Sequence, residues 1–144
     1  MKSNLRFAAI DIGSNAIRLL FSRIIENELK PHFLIKESLI RMPLRLGKDS
    51  FNAGEISEAN CKKFLNTMIG FKNLMDAYNP MNYRACATAA MRNAKNGKDL
   101  ARIVELKAGI TIDIINGAEE AAMILSKNIN QHIKKEKSYL HIDV

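Results

Sequence analysis

The sequence predicts an α/β fold in which a mixed β-sheet carries helices on both faces. Three strand-like segments follow one another through short turns at the start of the chain, and strand-like and helical segments then alternate, so that the order begins β-β-β-α-β-α-β. A meander followed by such alternation is typical of a mixed sheet covered by helices. The 144 residues suffice for a single domain with its own core and are too few for two large ones.

Short apolar runs separated by polar turns predict the three opening strands. The first run ends at residues 13–15, Gly-Ser-Asn, whose small and polar side chains are typical of a turn. The second ends at the polar reversal of residues 26–28, and the third mixes apolar and polar residues as an edge strand does. The predicted strands are Phe7–Ile12, Ala16–Ile25 and Leu29–Arg41.

Apolar residues spaced three and four apart between Ser57 and Tyr78 predict an amphipathic helix. Ser57 is a suitable N-cap, and Asn79 before Pro80 ends the helix, because a residue before proline disfavours helical backbone. Strand and helix patterns alternate from there. The predicted elements are a strand over Tyr83–Ala87, helices over Thr88–Asn93 and Lys98–Lys107, a strand over Thr111–Ile115, a helix over Gly117–Gln131 and a strand over Tyr139–Val144.

Composition narrows the class of protein. Hydrophobic residues make up 47% of the chain and charged residues 26%, which argues against a disordered chain. No run of ~20 apolar residues and no signal peptide is visible, so the cytoplasm is the expected compartment. The 22 Lys and Arg exceed the 15 Asp and Glu by 7. This positive net charge is compatible with a polyanionic partner, but it does not distinguish nucleic acid, nucleotide and polyphosphate.

Familiar catalytic and metal-binding motifs are absent from the sequence. Two cysteines and three histidines show no zinc-type spacing. The glycine patterns of P-loop, Rossmann and serine-hydrolase sites are also missing. Candidate chemistry therefore rests on residues at the ends of predicted strands, where open α/β sheets bind ligands.

The turn after the first strand is one candidate site. Gly13 allows close backbone approach, and the N–H groups of Ser14 and Asn15 could contact phosphate oxygens. Asp11 could hold a divalent cation, and Arg18 could reach back towards a bound anion. The same residues fit an ordinary hairpin turn, with Asp11 capping its own backbone and Arg18 in solvent.

Two further strand ends carry similar candidates. Thr88 begins a helix with Arg92 one turn later, and a helix N-terminus attracts anions through its free N–H groups. A capped surface helix with a solvated arginine explains these residues equally well. Asp143 ends the last predicted strand much as Asp11 ends the first, so the two acids could share a metal ion.

Two glutamates open the helix predicted to begin at Gly117. Acidic residues in a first turn complement the helix dipole, which explains both without a functional role. Their facing differs, however. Glu120 borders the apolar stripe of the helix, whereas Glu119 falls outward, so Glu120 is the better candidate for a cleft.

Together these motifs resemble the N-terminal domain of the exopolyphosphatase / guanosine pentaphosphate phosphatase family. The resemblance is carried by residues 7–15, by Ala87-Thr88 with 92–94 and Asn96, and by residues 116–121. It implies a ribonuclease-H-like (actin-like ATPase) domain. It also implies that residues 1–144 are the first domain of a longer two-domain protein, cut where the second phosphate loop begins.

The resemblance further implies hydrolysis of phosphoanhydride bonds in a cleft between two domains, assisted by Mg²⁺. Glu120 corresponds to the family's catalytic base. The implied phosphate-binding and substrate-binding residues are Gly13, Ser14, Asn15, Arg18, Thr88 and Arg92. Asp11 and Asp143 are the implied metal ligands. Because the chain ends at Val144, before the glycines of the second loop, this chain alone is expected to be inactive.

The implied substrates are inorganic polyphosphate and phosphorylated guanosine nucleotides such as guanosine pentaphosphate, with no specific nucleic-acid or membrane partner. A homodimer of the full-length protein is left open. Two other functions compete with hydrolysis: a phosphate- or nucleotide-binding regulator that does not hydrolyse its ligand, and a kinase of the same superfamily. Non-specific nucleic-acid binding has no aromatic platform in its support.

Overall fold

A mixed β-sheet flanked by helices organises the described part of the chain. The computed structural model describes residues 4–27 and 30–123. Within these ranges the strands are β1 (Asn4–Ile12), β2 (Ile17–Asn27), β3 (Lys30–Met42), β4 (Asn82–Ala87) and β5 (Asp113–Ile114). The helices there are α1 (Leu46–Ala53), α2 (Glu58–Tyr78), α3 (Ala89–Asn93), α4 (Gly97–Ala108) and α5, of which residues 117–123 are described.

The strand order across the sheet is β3-β2-β1-β4-β5, which confirms the predicted mixed sheet. β1, β2 and β3 pair antiparallel as the short turns predict, whereas β4 joins β1, and β5 joins β4, in parallel. Parallel neighbours end at the same edge of a sheet. The carboxyl ends of β1, β4 and β5, and the turn from β1 into β2, therefore meet at one edge.

Side-chain alternation divides the sheet into a covered face and an open face. On the covered face, the register sets Ala8, Ile10 and Ile12 of β1 against Phe21, Leu19 and Ile17 of β2. Helices α1 to α4 bury this face with Leu46, Phe64, Met68, Phe71, Met75, Ala90, Met91, Leu100 and Val104. On the open face, Ala9 and Asp11 are exposed, and α5 places Glu120 and Met123 beside them.

Helix α2 forms where the apolar spacing predicts it. The Ser57 hydroxyl accepts a 3.4 Å hydrogen bond from the Asn60 N–H, as an N-cap does. Asn79 ends the helix in the left-handed region with φ 54°, and its N–H donates to the Met75 carbonyl at 2.8 Å. α2 has 21 residues but is amphipathic, and no helix within the described ranges is long and apolar enough to cross a membrane.

Several predicted element boundaries differ from the structure. No element is predicted for residues 43–56, yet α1 lies there. Thr88 precedes α3, but its hydroxyl donates to the Ile12 carbonyl at 3.4 Å and does not cap the helix. β5 covers only Asp113–Ile114 instead of Thr111–Ile115, because it pairs with only two residues of β4. The end of the helix predicted to Gln131 and the strand predicted over 139–144 lie outside the described residues.

Candidate functional site

A cleft of about 600 Å³ opens at the edge where β1 and β4 end. Its walls come from the strand ends, from the turn between β1 and β2, and from the first turns of α3 and α5. The residues that line it are Ala9, Ile10, Asp11, Gly13, Ser14, Arg18, Arg84, Cys86, Thr88, Ala89, Ile115, Glu120 and Met123. The volume lies within the usual range for small-molecule sites, ~300–1,000 Å³.

The turn between β1 and β2 forms one wall of the cleft. The Gly13 N–H donates to the Ala16 carbonyl at 3.1 Å, so this amide closes the turn. A Cβ at Gly13 would lie 3.2 Å from that same carbonyl oxygen, which explains the glycine. Gly13 therefore allows a ligand to come close to the backbone. Because its own N–H is already used, any hydrogen bond from a backbone amide to a phosphate comes from the residues after Gly13.

The start of α1 holds this turn from behind. The Arg45 N–H donates to the Asn15 carbonyl at 3.0 Å, and the Gly47 N–H donates to the Ser14 carbonyl at 2.8 Å. In a trans peptide the N–H points opposite to the carbonyl of the same unit. The N–H groups of Asn15 and Ala16 consequently point away from α1.

Asp11 and Arg18 form an ion pair at the mouth of the turn. The register sets them directly opposite each other on β1 and β2, and Arg18 Nη1 lies 2.9 Å from Asp11 Oδ2. Both side chains are about half exposed, 53% for Asp11 and 47% for Arg18. Solvent screens such a pair, so an incoming anion or cation can displace either partner at modest cost.

The two glutamates of α5 have different surroundings. The Glu119 carboxylate accepts from the Asn116 N–H at 2.8 Å, while the Asn116 side chain accepts from the Glu119 N–H at 2.9 Å. This reciprocal capping box explains Glu119 structurally. Glu120 instead lines the cleft, with its side chain 37% exposed.

Arg92 lies behind Glu120. Its Nη1 donates to the Ile115 carbonyl at 2.8 Å and is 3.7 Å from Glu120 Oε2. The arginine thereby ties α3 to the start of α5 and supplies positive charge beside the carboxylate. Thr88, at the other end of α3, joins the ends of β1 and β4, since its N–H donates to the Ile12 carbonyl at 3.2 Å.

Most of the predicted site residues meet in this cleft. Those that line it are Asp11, Gly13, Ser14, Arg18, Thr88 and Glu120. Asn15 and Arg92 do not line it: Asn15 is anchored to α1 through its carbonyl, and Arg92 reaches the cleft through Glu120. Asp143 lies outside the described residues.

The structure adds Arg84 and Cys86 of β4, which the motifs did not single out. The register sets Arg84 beside Ala9 and Cys86 beside Asp11, so both share the open face with the predicted residues. In the sequence, the indication that these two residues share a face of the sheet is that they occupy alternate positions of the strand that ends before Thr88. Burial, the largest cause, raises the pKa of the Cys86 thiol, with Asp113 and Asp11 adding to this and Arg84 opposing it. The thiol therefore stays protonated at neutral pH.

The residues of the cleft include a carboxylate that fits the implied Mg²⁺. This ion is held in proteins through one or two carboxylates, and it keeps several waters and contacts substrate phosphates. The half-exposed Asp11 carboxylate on the cleft wall fits this mode. Within residues 4–27 and 30–123, no group of three or more His, Cys, Asp or Glu side chains converges.

The chain is similar to known proteins over most of its length. Residues 27–144 match the model of the Ppx/GppA phosphatase family. The chain is 24% identical over 119 residues to exopolyphosphatase 1 of Mycobacterium tuberculosis, covering 83% of this chain and 33% of that protein. It is 30% identical over 118 residues to guanosine-5'-triphosphate,3'-diphosphate pyrophosphatase of Vibrio cholerae, covering 82% of this chain and 23% of that protein.

Solved structures show the same relationship. A Ppx/GppA family member of Aquifex aeolicus superposes with a TM-score of 0.74 at 26% identity, covering 82% of this chain and 37% of that one. An exopolyphosphatase from Cytophaga hutchinsonii has the same TM-score at 25% identity, covering 82% and 36%. The predicted actin-like, ribonuclease-H-like fold is thereby confirmed. This chain spans about a quarter to a third of the length of the curated relatives. The family match over residues 27–144 shows that the chain belongs to the Ppx/GppA phosphatase family.

Proposed function

We propose that this chain is the N-terminal, actin-like ATPase domain of a cytoplasmic two-domain phosphohydrolase. The complete protein releases terminal phosphate from inorganic polyphosphate, from guanosine pentaphosphate, or from both. The names of the relatives support these two substrates. The observation that carries the proposal is a single cleft lined by the turn at Gly13 and Ser14, by the guanidinium of Arg18 and by the carboxylate of Glu120.

In phosphoryl transfer, the protein contributes mainly by positioning the reactants and by neutralising the charge on the phosphate oxygens. In the proposed site the terminal phosphate lies against the turn at Gly13 and Ser14, where the N–H of Asn15 points away from α1. Arg18 leaves Asp11 to contact its oxygens. Because the Arg18–Asp11 ion pair is exposed to solvent, breaking it to contact the phosphate costs little free energy.

Glu120 acts as the general base in this proposal. Its carboxylate takes a proton from a water molecule, whose oxygen forms a bond to the terminal phosphorus. The bond from that phosphorus to the bridging oxygen breaks, and the bridging oxygen keeps the electron pair. Arg92, 3.7 Å from Glu120, orients the carboxylate.

Asp11 would hold a Mg²⁺ ion, together with Asp143. When bound, the ion neutralises charge on the phosphate oxygens. The second domain would supply the facing half of the cleft, so the 144-residue chain alone should turn over poorly.

Substitution of Glu120 tests the proposal in the complete protein. Glu120→Gln should reduce phosphate release from polyphosphate and guanosine pentaphosphate by about 100-fold or more, since a general base contributes ~10²–10⁴-fold. Glu119→Gln is the matched control, because glutamine can also accept the Asn116 N–H in a capping box. The control should stay within about threefold of the parent.

Two results would contradict the proposal. Phosphate release within about threefold of the parent in Glu120→Gln would remove the general-base role. A parent protein that binds labelled guanosine pentaphosphate but releases no phosphate from either substrate would instead be a nucleotide-binding regulator.

A further inference from the structure

The cleft continues beyond the residues that the proposed hydrolysis uses. From the turn at Gly13 it runs along the open face of the sheet to Arg84. The register sets Arg84 beside Ala9, two residues before the level of Asp11 and Cys86. Two residues of strand span about 6.6 Å. The Arg84 side chain reaches Asp113 of β5, which pairs with Cys86. The guanidinium therefore lies towards β5, with β4 between it and the turn at the end of β1.

The floor between the turn and Arg84 is made of short side chains. Cys86 lies beside Asp11, and Ala9 lies two residues further back, beside Arg84. Ala9 is exposed although β1 is the central strand of the sheet. Alanine and cysteine project little from the strand surface. A ligand that occupies the turn can consequently extend past Asp11 over the short side chain of Cys86 towards Arg84.

Arg84 carries positive charge at the end of this floor. Its Nε lies 3.3 Å from Asp113 Oδ2, and the two side chains are 61% and 53% exposed. A long, exposed pair of this kind contributes little to stability. An arginine fork can engage a carboxylate through one edge and present its remaining N–H groups to a phosphate.

We propose that Arg84 binds a phosphoryl group further along the substrate chain than the one that is cleaved. This inference rests on the proposed function, which places the terminal phosphate at the turn. Arg84 would then determine how tightly the protein holds an extended phosphate chain. It would not take part in the bond-breaking step.

Kinetics of the complete protein separate this role from a structural one. Arg84→Gln should raise KM for long-chain polyphosphate about 10-fold and leave kcat within about twofold, because a charge-assisted hydrogen bond is lost at a partly solvated site. Arg84→Lys should raise KM less than Arg84→Gln does, since lysine retains the charge but lacks the guanidinium fork. Arg102→Gln is the matched control: Arg102 is 73% exposed, pairs with Asp99 on α4 and does not line the cleft.

A binding measurement makes the test independent of turnover. In the Glu120→Gln background, titration calorimetry with tripolyphosphate should give a dissociation constant about 10-fold weaker when Arg84→Gln is added. Unchanged KM and unchanged tripolyphosphate affinity in Arg84→Gln would overturn the inference and leave the proposed function intact. A kcat that falls as much as kcat/KM would also overturn it. Loss of phosphate release in the parent, with tripolyphosphate binding still dependent on Arg84, would overturn only the proposed hydrolysis.

Discussion

Gly47→Ala should damage the proposed phosphate-binding turn more than it lowers the stability of the protein. Gly47 is the second residue of α1, and its N–H donates to the Ser14 carbonyl at 2.8 Å. A Cβ at this position would lie 2.7 Å from Ser14 Cβ and 2.9 Å from Phe51 Cε2. Carbon atoms normally approach no closer than about 3.5 Å. Something must therefore move by close to 1 Å.

The structure indicates which group moves. Phe51 is 56% exposed, so its ring can swing into solvent. Ser14 Cβ is attached directly to the turn, so the turn itself must shift. Overpacking typically costs about 1–3 kcal/mol, and replacing glycine in a helix returns up to ~1 kcal/mol. The net loss of stability should be about 0–2 kcal/mol, whereas a 1 Å misplacement can cost ~10²-fold in rate.

The assay compares Gly47→Ala with Gly70→Ala in the complete protein. Apart from its own helix backbone and its two chain neighbours, no atom of the described residues lies within 4 Å of a Cβ at Gly70, in the interior of α2. This control should therefore gain ~0.5–1 kcal/mol and keep its activity. Calorimetric Tm and kcat/KM for polyphosphate are measured for both variants. A Gly47→Ala protein with kcat/KM within about twofold of the parent would refute the close approach of α1 to the turn.

Two further predictions concern stability. Gly97→Ala places a Cβ 2.0 Å from the Met91 carbonyl oxygen, which belongs to the backbone and cannot rotate away. The free energy of unfolding should therefore fall by about 3 kcal/mol, which corresponds to a Tm roughly 10 °C lower. A decrease in Tm of less than about 3 °C would contradict this prediction. The Asp49 carboxylate accepts hydrogen bonds from the N–H and hydroxyl of Ser57 and from the Asn60 side chain, and these bonds lower its pKa. Its stabilising contribution is therefore complete above the ordinary aspartate pKa, ~4, and disappears as pH falls below that value. Asp49→Asn should lower Tm at pH 7 by the equivalent of ~1–2 kcal/mol of unfolding free energy, and should lower it much less near pH 2. A Tm difference between variant and parent that grows as the pH falls would contradict the stabilising role of the Asp49 carboxylate.

Local patterns were sufficient where local physics decides the outcome. The three-and-four spacing and the caps at Ser57 and Asn79 predicted α2, because amphipathic periodicity and capping act within a few residues. The short apolar run over residues 7–12, ended by a turn, predicted β1 as a buried strand for the same reason. The facing of Glu119 and Glu120 could likewise be derived from the helical period, and the structure places Glu119 in the capping box and Glu120 on the cleft.

Helix α1 shows where local patterns fail. Its sequence contains Gly47 and few apolar residues, so no periodic stripe marks it. Its N-cap residue, Arg45, has a left-handed φ of 53° and donates its N–H to the carbonyl of Asn15, thirty residues earlier in the chain. Contacts between distant segments make this helix, and these contacts cannot be seen in a window of sequence.

The sequence by itself determined the order of the strands and of the helices other than α1, the family resemblance, and the residue types available for phosphate chemistry, because these depend on neighbours along the chain. The tertiary structure alone decided which of those side chains share a cleft. Parallel pairing of β4 with β1 sets Arg84 and Cys86 beside Ala9 and Asp11, although each pair is 75 positions apart in the chain. Such pairing depends on how the whole sheet assembles, so Arg84 became a candidate only once the register was known.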